Sequence, residues 1–133
     1  MKKQSLKRSI TVILLIFVLF LTSIVAIWVR PILRQEENSV QVLKGIVQLN
    51  LKDLDFYEYD SNPIYMYTQY ITKSKNGFEV IRESLEDEGW IFKEQFGSGY
   101  LFKYSTNEKE DISISSVQFT RFFKLWNIPM NAF

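Results

Sequence analysis

The chain has 133 residues, with 16 Lys and Arg against 15 Asp and Glu, and contains neither cysteine nor histidine. Those two absences exclude disulfide staples, thiol chemistry, lipidation at cysteine, Ser-His-Asp and Cys-His catalysis, and the usual zinc sites. The near-neutral total hides an asymmetry: four basic residues precede position 10, leaving 12 against 15 acids beyond it, a net −3 that argues against a nucleic-acid partner.

Residues 1–9 form a basic tail with Lys2, Lys3, Lys7 and Arg8. From Ile10 to Val29 no charge occurs, and nearly every residue is Ile, Leu, Val or Phe. As a helix this stretch is about 30 Å long, matching the hydrocarbon thickness of a bilayer, so it predicts a transmembrane helix with the lipid bilayer as partner. A cleaved signal peptide is the competing reading. It is disfavoured because the run exceeds the usual apolar core, and because Ile24 sits two residues before Ala26, where a cleavage site wants a small residue. Trp28 suits the interfacial end of a span. After the span come Arg30 and Arg34, diluted by Glu36 and Glu37. The positive-inside rule therefore predicts a single-pass protein of the cell membrane, N-terminus cytoplasmic, with everything from Arg30 extracytoplasmic; the inverse places the domain in the cytoplasm.

Residues 30–39 read as a connector, with Pro31 marking the exit from the interface, and residues 40–133 as one small extracytoplasmic domain. Val40–Leu51 fits a short helix running into a strand. Lys52–Asn62 interleaves Asp53, Asp55, Glu58 and Asp60 with aromatic residues and reads as a solvated strand edge or loop. Ser61-Asn62-Pro63 signals a turn, and Ile64–Thr72, rich in aromatic and β-branched residues, a strand. Next comes the clearest helix, about Gly77–Glu88. Asn76 and Glu79 form a potential capping box, Phe78, Ile81 and Leu85 make one apolar stripe, and Gly89 supplies the stop. Trp90–Phe96 alternates, with Trp90, Phe92 and Phe96 on one face. Gly97-Ser98-Gly99 then turns it into Tyr100–Tyr104, a hairpin. The unit Leu85–Tyr104 resembles units in several small uncharacterised bacterial domains, a likeness that implies no activity. Ser105–Asp111 is a polar loop, Ile112–Trp126 one long strand or two short ones, and Pro129 closes the ordered part.

The expected fold class is α+β: one N-terminal transmembrane helix, then one main helix on an antiparallel sheet of about four strands. A single stripe covers only one sheet face, so the other needs the Val40 segment, a partner or the membrane. The abundance of Ile, Lys, Asn, Phe and Tyr, with only Ala26 and Ala132, suits an A/T-rich bacterial genome.

Of 21 aromatic residues, all but Phe17, Phe20 and Trp28 lie beyond the span, including all seven tyrosines. Tyrosine suits recognition surfaces, so Tyr65, Tyr67, Tyr70, Tyr100 and Trp126 are the candidate binding residues; the competing reading is that they fill the core. Glu86, Asp87 and Glu88 crowd a helix C-terminus, where the dipole favours cations, and form a candidate acidic patch for a basic partner or a divalent ion. Asp53 to Asp60 lacks the Gly and Glu that a calcium loop requires, with Glu58 and Ile64 in those positions. No metal or other cofactor is expected. Ser98 between glycines has no histidine base, only Lys93 or Lys103 as conceivable partners. In Phe119–Trp126, Arg121 and Lys124 are mixed with aromatics, as on an edge strand with snorkelling cations or at a bilayer interface. The expected function is a membrane-anchored, non-catalytic domain that binds a protein partner in the membrane or envelope through an aromatic sheet face. The alternatives are a carboxylate-dependent envelope enzyme using Asp53, Asp55 or Glu58, and an accessory or sensor subunit of a membrane complex.

Overall fold

The structure, a computed structural model, describes residues 2–35, 38–106 and 108–133, and its chain divides into two compact units, Met1–Glu37 and Asn38–Phe133. The described residues of the first unit form one helix, α1 (Lys2–Gln35). Its window Ile10–Ile27 is long and apolar enough to cross a membrane and buries none of its surface within the protein, as befits a membrane anchor or a signal sequence. The basic tail is helical too, and Pro31 does not end the helix: proline deletes one ladder donor, but its fixed φ is helical. Glu36 and Glu37 lie outside the described residues, as do the side chains of the tail, Trp28 and Arg34.

The second unit is α+β, with six antiparallel strands rather than about four. Its elements are α2 (Ser39–Leu51), β1 (Phe56–Asn62), β2 (Tyr67–Lys73), α3 (Gly77–Asp87), β3 (Trp90–Phe96), β4 (Gly99–Tyr104), β5 (Ile112–Gln118) and β6 (Phe123–Pro129), and a 3-10 turn at Met130–Ala132. The sheet order is β1-β2-β6-β5-β4-β3. Two strands account for the miscount. Lys52–Asn62 contributes β1, which pairs along β2. Ile112–Trp126 breaks at Phe119–Phe122, where the Phe119 and Thr120 amides both donate to the Phe123 carbonyl. Phe119, Phe123 and Leu125 keep the same period on either side of this turn, so periodicity alone could not place the break. Val40–Leu51 is helical throughout and never becomes a strand.

One sheet face is covered by α3, and α2 covers the β1–β2 end of the other, where Ile91, Phe96 and Val117 further along stay exposed. On one face α3 lays Phe78, Ile81 and Leu85 over Tyr70, Trp90, Tyr100, Phe102 and Trp126; the rings of Phe78 and Tyr100 stack at 4.6 Å. The α3 stripe and the Gly89 stop (φ +92°) are as the spacing predicts, but Asn76 makes no side-chain cap. On the other face α2 packs on β1 and β2, burying Val42 and Leu49. Gly45 permits this approach: a Cβ there would stand 3.0 Å from Ile71 Cγ2 and 3.4 Å from the Tyr57 ring.

Bulges reset the faces. In β3 the register slips between Phe92 and Glu94, so Trp90 and Phe92 pack toward α3 while Phe96 pairs with Gly99 and lies across it. Phe96 therefore leaves the face it was expected to share, because one extra residue inverts every side chain beyond it. The chain also stays ordered past Pro129. The Trp90 indole donates to the Ala132 carbonyl at 2.9 Å, and the Phe133 ring meets Tyr70 edge-on at 5.6 Å.

Candidate functional site

The five aromatic candidates separate. Tyr70 (8% exposed), Tyr100 (5%) and Trp126 (0%) are core residues beneath α3, so the expected aromatic sheet face is not free for a partner. They come from β2, β4 and β6, and whether the face they share met water or a helix depended on where α3 folded back. Tyr65 (71%) and Tyr67 are exposed, at the β1–β2 hairpin. Burial pushes the Tyr70 phenol pKa up, helped by the nearby Glu58 carboxylate, while a hydrogen bond with Thr68 pulls the other way.

Glu86, Asp87 and Glu88 are exposed at the end of α3; Glu86 pairs with Arg82 at 3.4 Å. The other carboxylates scatter. Asp53, at φ +48°, lies 3.6 Å from Lys73, and Asp60 accepts from the Asn38 side chain. The register slips between Glu58 and Asp60: Glu58 pairs across from Tyr70 on the α3 side, and Asp60 from Gln69 on the α2 side. The two acids thus face opposite ways, unlike a pair flanking a bond to be cleaved. Among the described residues no group of three His, Cys, Asp or Glu could hold a metal ion. Lys93 bonds Asp111 at 3.2 Å rather than reaching Ser98.

Two surfaces stand out instead. One is the hairpin tip, where Ile64 (84% exposed), Tyr65 and Met66 project between β1 and β2. The tip is held from within. The Asn62 side-chain oxygen accepts the Ile64 and Tyr65 amides at 3.1 and 3.3 Å, and the Met66 carbonyl accepts the Met130 amide at 2.9 Å. Met66 sits at φ +58°, completing the reversal.

The other is a concave pocket of about 380 Å³ at the opposite end of β2. Asn50 comes from the end of α2, Lys73, Ser74 and Lys75 from the β2–α3 connection, and Arg121, Phe122 and Phe123 from the β5–β6 turn. The Ser74 amide donates to the Phe122 carbonyl at 2.8 Å, which clamps two of these segments together. The Gln118 amide donates to Ser74 Oγ at 2.6 Å. The Arg121 guanidinium lies 4.8 Å over the exposed Phe122 ring. Three cations and no carboxylate line a volume within the range of small-ligand sites. Sequence reading singled out Arg121 and Phe122 but not the pocket, whose walls come from three segments that only the fold brings together.

No family model, curated protein or solved structure matches this chain.

Proposed function

We propose that this is a single-pass membrane protein, N-terminus cytoplasmic, whose extracytoplasmic domain is a non-catalytic binding module for an anionic group on a membrane or envelope partner. The pocket carries this reading. Lys73, Lys75 and Arg121 line one concavity with Ser74 and Asn50 as polar groups and Phe122 as a stacking face, and Lys73 also pairs with Asp53. Arginine on an aromatic plane is well suited to carboxylate or phosphate. The four basic residues ahead of the span support the topology. The binding surface proposed is thus the cationic pocket and not the aromatic sheet face, which α3 covers.

The test is calorimetric titration of the full chain in neutral detergent with inorganic phosphate, with citrate, and with a neutral amide of similar size. Binding of either anion, weakening with added salt and lost in the Lys75→Ala/Arg121→Ala double variant, supports the reading and says which anion class is preferred. Binding of neither anion, or binding indifferent to the double variant, overturns it. Topology is tested separately by a reporter fused after Phe133: activity on the cytoplasmic side refutes the orientation.

A further inference from the structure

We infer that the ligand of the cationic pocket is a small organic anion with a compact apolar body, a phosphate monoester or a monocarboxylate, rather than a bare inorganic anion or a sugar phosphate. This rests on the reading of the pocket as an anion site and adds what the remainder of the ligand is.

Size gives the first argument. The pocket encloses about 380 Å³. At about 30 Å³ for each water-sized group, that is room for on the order of a dozen non-hydrogen atoms. A phosphate or carboxylate group alone fills less than half of it, so most of the volume belongs to whatever the anionic group is attached to.

The cations then place the charged end. Lys73 pairs with Asp53 at 3.6 Å, while among the described residues no carboxylate pairs with Lys75 or Arg121. The Arg121 guanidinium lies 4.8 Å from the centre of the Phe122 ring, which gives it an apolar support. An anion held by this arginine sets its next atoms down beside that ring, which is 62% exposed.

Hydrogen bonding decides between an apolar body and a hydroxylated one. The Asn50 side-chain amide donates to the Ile46 carbonyl at 2.9 Å, and Ser74 Oγ accepts from the Gln118 amide at 2.6 Å. The Phe122 carbonyl is taken by the Ser74 amide, and the Phe123 carbonyl by the Phe119 and Thr120 amides and the Gln118 side chain. Asn50 and Ser74 are thus largely committed within the fold, and the other lining side chains are the three cations and two phenyl rings. A body carrying several hydroxyls would lose water there without gaining partners, a cost that a hydrocarbon body avoids. Hydrocarbon also gains from covering the Phe122 ring.

The test compares ligands of one charge class that differ only in the body. The full chain in neutral detergent is titrated calorimetrically with inorganic phosphate, glycerol phosphate and hexyl phosphate, and with acetate, gluconate and hexanoate. In the class that binds, the hexyl member should be about tenfold tighter, or more, than its hydroxylated counterpart. Its heat-capacity change should also be the more negative, the mark of apolar burial. Within Phe122→Ala the affinity ratio of the two should fall toward one, and Phe122→Leu should restore most of it. A hydroxylated member that binds as tightly as the hexyl member, or a ratio untouched by Phe122→Ala, overturns this inference while leaving the anion site standing. A hexyl preference that persists in Lys75→Ala/Arg121→Ala also overturns it, because the chain is then taken up elsewhere, by the apolar helix or the detergent. Binding of no member of either class refutes the anion site itself.

Discussion

The indole N–H of Trp126 donates to Thr72 Oγ1 at 2.9 Å, across neighbouring strands β6 and β2, with both side chains fully buried. Burial keeps water from taking the place of that hydroxyl. Replacing Thr72 with the near-isosteric valine leaves a buried donor without its acceptor. Thr72→Val should destabilise the domain by about 1–3 kcal/mol, measured by denaturant unfolding of the full chain in detergent. A stability within error of wild type would show that the indole finds another acceptor.

Gly77 closes over the same oxygen. A Cβ at Gly77 would stand 2.2 Å from Thr72 Oγ1, much closer than contact distance, with the Trp126 ring at 3.6 Å. Gly77→Ala should therefore cost about 1–3 kcal/mol despite improving helix propensity. The same change in a Thr72→Ala background should cost clearly less, because the obstructing oxygen is gone. Additivity of the two substitutions would refute the steric link.

Two glycines separate space from backbone strain. Gly97 turns β3 into β4 at φ +61°, and a Cβ added there would meet nothing within 4 Å, so Gly97→Ala should cost only the left-handed penalty, about 1–2 kcal/mol. Gly45 has ordinary helical geometry but is pressed on Ile71, so Gly45→Val should loosen α2 from the sheet by a comparable or larger amount, about 1–3 kcal/mol. Fluorescence and hydrogen exchange distinguish the two: loss of protection confined to α2 is expected only for Gly45→Val.

Tyr70 makes stability depend on alkaline pH. Burial, and then Glu58, hold its phenol pKa above the ordinary value. A raised folded-state pKa favours the protonated form, so its stabilising contribution is complete below the unfolded tyrosine pKa and is lost as pH rises through the folded one. Unfolding midpoints should therefore fall as pH climbs past about 10, and the fall should flatten in Tyr70→Phe. An unchanged slope in that variant would assign the effect to other groups.

Some of this protein needed no tertiary information. The apolar helix through Ile10–Ile27, long enough to cross a membrane, was legible because hydrophobic transfer is summed residue by residue along a helix. The helix Gly77–Asp87 was legible because its stripe and its glycine stop are local, as was the tight turn at Gly97. The mixed α+β class followed from the order of such segments.

What the chain alone left open was decided by contacts between distant segments. The bulges at Tyr59 and Lys93 each insert one residue and invert the pattern downstream, and no local signal marks them. Tyr70, Tyr100 and Trp126 come from three strands and suit an exposed aromatic face by residue type, yet α3 folds back over them and turns a candidate surface into core. The cationic pocket needed α2, the β2–α3 connection and the β5–β6 turn to meet. Hydrophobicity and propensity belong to single residues and their near neighbours, whereas exposure and concavity belong to pairs of elements, which is why the first could be read in one dimension and the second only in three.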